Sequence, residues 1–217
     1  RNPLSSISLN AEMLEDELQA LPEDRRGEAM SLMAAIRAQL DVLGVVTEEY
    51  LRFARLPKPK LEAGSVAAVI EELAEFIRPE LSARGVELKV RVPSGLPMVL
   101  LDSGQMRQLL LNLLRNAAEA MPHGGTAEVS AAVWDGPAAD PRPGVQIVVQ
   151  DTGPGIPAEH AQRIFEPFFT TKQDGTGLGL AIARQIAVDH GGTLGCEATP
   201  GGGSLFRIVL PSAGGAA

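Results

Sequence analysis

Two glycine-rich clusters hold the residues of this 217-residue chain best suited to chemistry. The first, Asp151-Thr-Gly-Pro-Gly-Ile-Pro157, directly follows the apolar run Val145-Gln-Ile-Val-Val149. The second, Gly175-Thr-Gly-Leu-Gly-Leu180, runs into a helix-like segment, Leu178 to Ala187. A strand ending in Asp-x-Gly-x-Gly sets a carboxylate where the backbone bends, and its glycines let a flat ligand come close. A glycine turn opening a helix offers free N–H groups and the positive end of the helix dipole, which suit phosphates. Either cluster alone is also what an ordinary turn looks like. In this order they describe a nucleotide site, with the base at Asp151 and the phosphates at the second cluster.

A third feature lies in Gln105 to Met121, where Asn112 and Asn116 stand four apart on one helical face. The flanking Leu109, Leu110, Leu113 and Leu114 predict a largely buried helix, in which unsatisfied amides are costly. Bonds to nearby backbone would meet that need. So would ligation of Mg²⁺ and phosphate by neutral oxygens, which a pair beside a phosphate site favours.

The elements that must position these residues follow from periodicity. Val66 to Arg84 reads as an amphipathic helix with Val69, Ile70, Leu73, Phe76, Ile77 and Leu81 on one side. Val86 to Val92 alternates as a half-buried strand, Met98 to Leu101 is a short strand, and Asp102 or Ser103 caps the asparagine helix. Thr126–Trp134, Val145–Gln150 and a hairpin of Thr193–Ala198 with Leu205–Leu210 complete the strands. Strands and helices without strict alternation predict an α/β sandwich rather than a doubly wound sheet.

Ahead of it, Leu4, Ile7, Ala11, Leu14 and Leu18 form a coiled-coil seam. Ala29, Met33, Ile36, Leu40, Leu43, Thr47, Tyr50 and Ala54 form a second, after Pro22. Leu56-Pro-Lys-Pro-Lys60 stops it as a short stiff linker. A two-helix hairpin either packs on the rest of its own chain or buries its remaining seam in a four-helix bundle with a second copy. The long second seam and proline linker favour the dimer.

The composition bounds the function. Net charge −8 and pI near 5.0 argue against a nucleic-acid surface. One cysteine, Cys196, excludes an internal disulfide and reads as an inert thiol of the terminal sheet. No apolar run reaches the roughly 18 residues that span a bilayer, so no membrane contact is expected of this stretch. No signal peptide is apparent, and Arg1 in place of an initiator methionine reads as a piece of a longer protein.

Asn112-Leu-Leu-Arg-Asn-Ala-Ala-Glu-Ala-Met121, Asp151 to Ile156, Phe165-Glu-Pro-Phe-Phe-Thr-Thr-Lys172 and Gly175 to Leu180 resemble, in order, the boxes of two-component sensor histidine kinases. The likeness is to their nitrogen-regulation-like branch. Arg1-Asn-Pro-Leu-Ser-Ser-Ile7 is similar to the tail of the phosphoacceptor motif His-Glu-x-Arg-Asn-Pro-Leu, which places the acceptor histidine three residues before Arg1. The implied fold class is α+β: a truncated dimerisation and phosphotransfer hairpin at 1–56, a linker at 57–60, and a GHKL (Bergerat-type) ATP-binding sandwich at 61–212. Residues 213–217 are expected to be a disordered tail.

The resemblance implies an ATP-dependent protein-histidine kinase that moves the γ-phosphoryl group from ATP·Mg²⁺ to a histidine. It then passes to an aspartate on a response-regulator receiver domain. Asp151 would accept from the adenine amino group, Gly153 and Gly155 would let the base lie against backbone, and Ile156 belongs to the same ATP-binding set. Asn116 would ligate Mg²⁺ and Asn112 would stand beside the phosphates. Thr170 to Gly177, including Thr171, Lys172, Gly175 and Thr176, would form a lid, with Lys172 reaching the phosphates and Gly177 and Gly179 holding them; Leu178 and Leu180 belong to the same ATP-binding set. Ser204 is either an adenine-pocket residue or a strand serine. Phe165 and Phe168 either anchor the lid or pack in the core. Asn2 matches a position implicated in dephosphorylating the regulator. His190 reads as a helix-terminal residue, and His123 and His160 as turn and surface residues.

Related GHKL ATPases carry a glutamate where this chain has Asn112, and an asparagine takes no proton, which favours transfer over hydrolysis. Without the acceptor histidine this chain is expected to bind nucleotide only, as the cytoplasmic kinase core of a parent that can be membrane-anchored. Two alternatives stay open: a GHKL-type ATPase clamp, marked by rapid hydrolysis, and a non-catalytic dimerisation or docking module, marked by no ATP binding.

Overall fold

The computed structural model describes residues 3–19, 22–54, 56–136, 143–172, 175–199 and 202–215. The chain divides into two compact units: Arg1–Leu56 with Thr171–Thr176, and Pro57–Thr170 with Gly177–Ala217.

The first unit is built on α1 (Pro3–Gln19) and α2 (Glu23–Ala54). The Pro22 carbonyl accepts from Arg25 N–H (3.1 Å) and Arg26 N–H (3.0 Å), so the proline opens α2 without losing a bond it needed to donate. The two apolar seams share their work unequally. Ala11 and Met33 are buried and Leu18 and Leu40 half-buried, closing the hairpin on itself. Ile7, Leu14, Ile36, Leu43 and Tyr50, from the alternate positions of the same heptads, remain about half exposed. Arg37 on α2 bridges back to Glu15 (2.5 Å) and Glu12 (3.5 Å) on α1. Exposed pairs of this kind add little stability and mainly fix register.

The second unit layers three helices, α3 (Val66–Ala83), α4 (Ser103–Ala120) and α5 (Gly179–Asp189), on a five-stranded sheet. Its strands are β2 (Val86–Arg91), β4 (Gly125–Trp134), β5 (Gly144–Asp151), β6 (Thr193–Ala198) and β7 (Ser204–Pro211). Their order is β2-β4-β5-β7-β6, with only the β2–β4 pair parallel. Alternation puts Ala127, Val129, Ile147, Val149, Phe206, Ile208 and Leu210 under the helices. A second, two-stranded sheet pairs β1 (Glu62–Gly64) with β3 (Val99–Leu101); β1 is in none of the predicted elements.

Two expectations fail here. Phe76 does not share the buried side of α3: it is 66% exposed. Consecutive helical residues point about 100° apart, and Ile77, fully buried, occupies the centre of the stripe. Residues 213–215, expected in a disordered tail, form a 3-10 turn (Ala213–Gly215). It is tied down by Ala213 N–H donating to Met98 O at 2.8 Å.

Candidate nucleotide-binding site

Asp151 ends β5 and is only 3% exposed. Its Oδ1 accepts two backbone N–H bonds, from Gly153 (2.9 Å) within its own turn and from Ser204 (3.1 Å) at the start of β7. Among the described residues none donates to Oδ2. One oxygen of a buried carboxylate is therefore committed to holding the group still, and the other is left to accept. An acceptor held in place and left open on one side is the geometry an exocyclic amine needs.

The β6–β7 loop contributes what the sequence reading missed. Gly203 has φ +96°, and a Cβ there would stand 2.1 Å from Asp151 O. A Cβ on Gly155 would stand 3.0 Å from Gly203 O. The loop thus lies directly against the Asp151 turn, held by Thr199 Oγ1 donating to Gly202 O, and it delivers the Ser204 N–H. In sequence these glycines look like an ordinary hairpin turn. Ser204, left open between two roles, is a buried strand residue that contacts Asp151 through its backbone.

α4 carries the asparagines, and here the burial expectation needs correcting. The buried stripe is Gln105, Met106, Leu109, Leu110, Leu113, Leu114, Ala117 and Ala118, while Asn112 and Asn116 lie at its edge, half-buried. Their amides are not trapped in the core, so burial cost does not argue for them; position does. Asn112 Nδ2 donates to Gly179 O at 3.0 Å, across to the first residue of α5. Asn116 follows one turn further along the same face.

α5 is the phosphate candidate. Ser65 caps α3 and Asp102 caps α4, but no side chain caps α5. Leu178 at its N-cap is fully buried, so the backbone this helix end exposes is that of Gly179. A Cβ on Gly179 would meet nothing within 4 Å, so the protein's own packing does not demand glycine there. An open backbone at an uncapped, positive helix end is where an anion binds.

The neck of the expected lid is closed by Phe168 N–H donating to Gly177 O at 3.1 Å. Gly177 has φ +68°, and a Cβ there would stand 2.5 Å from the Phe168 carbonyl carbon. Phe168 itself takes φ 68°, a conformation that costs a non-glycine residue on the order of 1–3 kcal/mol, and its ring is exposed, so it is no core residue. Phe165 is half-buried, with the Arg184 guanidinium 5.3 Å from its ring centre. Ile156 and Leu180 are half-buried and Thr170 is exposed, all in the second unit. Thr171, Lys172, Gly175 and Thr176 belong to the first unit. Asn2 lies outside the described residues.

His190 caps the C-terminus of α5 and is 3% exposed, with Nδ1 2.7 Å from Ile186 O and Nε2 accepting Asp102 N–H at 3.0 Å. Cys196 is half-buried in β6, and burial, reinforced by the charges of Asp151 and Glu197, pushes its thiol up to about 11. Among the described residues no cluster of three His, Cys, Asp or Glu side chains could hold a metal. The donor set fits Mg²⁺ only as a companion of phosphate, with phosphate and water oxygens filling most of its shell beside an amide oxygen.

Residues 101–214 match the family of histidine kinase-, DNA gyrase B- and HSP90-like ATPases. The sensor histidine kinase ZraS of Klebsiella oxytoca is 36% identical over 211 residues, 97% of this chain and 43% of that protein. The adaptive-response sensory kinase SasA of Thermosynechococcus vestitus is 33% identical over 224 residues, 97% of this chain and 57% of that protein. Full-length ShkA, solved in complex with AMPPNP, aligns with a TM-score of 0.69 and 32% identity over 98% of this chain and 44% of its own. The chain therefore spans about half the length of the relatives it matches.

Proposed function

The chain belongs to the sensor histidine kinases, within the histidine kinase-, DNA gyrase B- and HSP90-like ATPase family. From that premise we propose that its second unit binds ATP with Mg²⁺ for transfer of the γ-phosphoryl group to a histidine of the parent protein. An aspartate of a response-regulator receiver domain then receives the group. The observation that carries the reading is the Asp151 carboxylate, buried, braced through one oxygen by two backbone N–H groups and open at the other.

Each residue has a role in this reading. Asp151 Oδ2 accepts from the adenine amine, with Gly153, Gly155 and Ile156 against the base and Ser204 holding Asp151 through its N–H. Gly177 and Gly179 present backbone to the phosphates, with Leu178 and Leu180 beside them in the same turn, and Thr170, Thr171, Lys172, Gly175 and Thr176 are lid residues in this reading. Mg²⁺ neutralises phosphate charge when bound, and Asn116 would hold it through its amide oxygen. Asn112, committed to Gly179 O, fixes α4 against the phosphate helix and supplies no base for water. That favours transfer over hydrolysis, with positioning and charge neutralisation as the sources of rate.

The half-exposed Ile7, Leu14, Ile36, Leu43 and Tyr50 support a homodimer, since one copy leaves that stripe open to water. A cytoplasmic position for the kinase core belongs to the same reading.

Calorimetric titration of the chain with AMPPNP and Mg²⁺ tests it. Saturable 1:1 binding is expected, with no release of phosphate from ATP beyond the rate in buffer. Absence of binding sinks the reading, and rapid acceptor-free hydrolysis replaces it with an ATPase clamp.

A further inference from the structure

Pro57–Lys60, which opens the second unit, is bonded at its first and last residues to one corner of that unit. Gln105 Nε2 donates to Pro57 O at 2.8 Å, and Lys60 N–H donates to Asp102 Oδ2 at 3.0 Å. Both anchors sit at the start of α4. Asp102 is also the α4 N-cap, its Oδ1 accepting from Gly104 N–H (3.0 Å) and Gln105 N–H (3.1 Å). Its own N–H donates to His190 Nε2 at 3.0 Å, at the end of α5. His190 Nδ1 lies 2.7 Å from Ile186 O, so it carries the ring proton and leaves Nε2 the lone pair that Asp102 needs. One cluster therefore joins Pro57–Lys60 to the beginning of α4 and the end of α5. Those helices carry Asn112 and the Gly179 backbone at their other features, with Asn112 about 15 Å along α4 from Asp102.

One atom in the cluster is out of keeping with a purely structural purpose. Gln105 is 6% exposed, and its Oε1 is the one buried side-chain oxygen or nitrogen without a partner among the described residues. An unpaired buried carbonyl works against folding. Methionine has nearly the same shape and would remove that cost, so glutamine here is explained by the bond it makes to Pro57 rather than by packing.

We propose that Gln105, Asp102 and His190 are positioning residues that latch Pro57–Lys60 onto α4 and α5, so that linker docking and nucleotide binding favour one another. The proposal rests on the nucleotide reading above. Coupling between two sites is reciprocal: what nucleotide does for the latch, the latch does for nucleotide affinity by the same factor.

The test uses the full 217-residue chain, with AMPPNP and Mg²⁺ as probe. Amide hydrogen exchange at Lys60 reports the latch and calorimetry reports nucleotide. AMPPNP should slow Lys60 exchange in the unmodified chain. Gln105→Met should leave the melting temperature unchanged or raised, weaken AMPPNP about fivefold or more, and abolish the nucleotide-dependent slowing. Asp102→Asn keeps an oxygen for the cap but presents an amide to the Lys60 N–H, and should act in the same direction. Unchanged AMPPNP affinity and unchanged Lys60 protection in Gln105→Met overturn the latch. If the unmodified chain binds no AMPPNP, the site reading fails. The latch is then judged on Lys60 alone: faster exchange in Gln105→Met keeps the docking, and equal exchange removes it.

Discussion

The most informative perturbation is Asp151→Asn, because Oδ1 of that carboxylate serves the fold while Oδ2 is the atom the proposed reading gives to the ligand. Oδ1 accepts from Gly153 and Ser204 N–H at 2.9 and 3.1 Å, and asparagine keeps an oxygen for both. The second oxygen becomes an NH₂, which faces the adenine amine donor to donor. A hydrogen bond to a charged acceptor contributes about 1.5–3 kcal/mol, and leaving the amine unpaired adds to the loss. The sum, about 2–4 kcal/mol, is roughly a 30- to 1,000-fold weaker Kd for AMPPNP by calorimetry. The melting temperature should shift by only a few degrees. Asp151→Ala would be less clear, since it leaves the buried Ser204 N–H and the part-buried Gly153 N–H unpaired and destabilises the fold as well. The guanine analogue offers a second arm: it carries a carbonyl where adenine has its amine, so the unmodified chain should discriminate against it and Asp151→Asn should lose that discrimination. Binding of AMPPNP by Asp151→Asn within threefold of the unmodified chain, with a native melting temperature, would refute the placement of adenine at Asp151.

Ile36→Glu with Leu43→Glu puts two charges into the open stripe of α2, where both side chains are about half exposed. Light scattering should show the unmodified chain as a dimer and the variant as a monomer with unchanged helicity; a unmodified chain that is monomeric at about 100 µM would end the dimer proposal. Cys196, with its thiol pushed up to about 11 against an ordinary 9.0, should hold about 100-fold less thiolate at pH 8 and alkylate correspondingly slowly. Its iodoacetamide rate should still climb at pH 10, and a plateau below pH 9 would contradict the burial. The Asp102 carboxyl is held below its usual range first by Lys60 N–H and then by Gln105 N–H. A depressed folded value stabilises above the unfolded value, near 3.9, and that contribution fades as pH falls through the folded one. The advantage of the unmodified chain over Asp102→Asn in urea should therefore shrink as pH drops below about 4, and a constant difference from pH 5 to 2 would count against it.

What the sequence made legible was chemistry carried by neighbours along the chain. The Asp151 turn, the Gly175–Leu180 cluster and the Asp102 cap depend on residues within a few positions of one another, and local backbone rules suffice to read them. Phe76 shows where such rules fail: it sits one position from the stripe centre, and apolar character alone does not say which side of a stripe's edge a residue falls. The hairpin shows a subtler failure. Leu18 is as apolar as Leu14, and Ala11 is less apolar than the exposed Ile7, so the heptad announces a seam without saying which half the chain closes by itself. Least legible were pairings across long separations. Gly203 is one more glycine in a turn until the strands bring it against the Asp151 carbonyl, 52 positions back in the chain. Gln105 and Pro57 are 48 apart, and nothing near either one announces the bond. The two kinds of residue also differ in what substitution should do. Those read from local pattern start a helix or, in the proposed reading, touch the nucleotide, and changing them should remove an interaction outright. Those visible only in three dimensions brace Asp151 or dock the linker, so changing them should alter affinity by degrees while the motifs stay intact. A variant with every kinase box unaltered and a weakened nucleotide affinity is the outcome this division demands, and Gln105→Met is where it should first be seen.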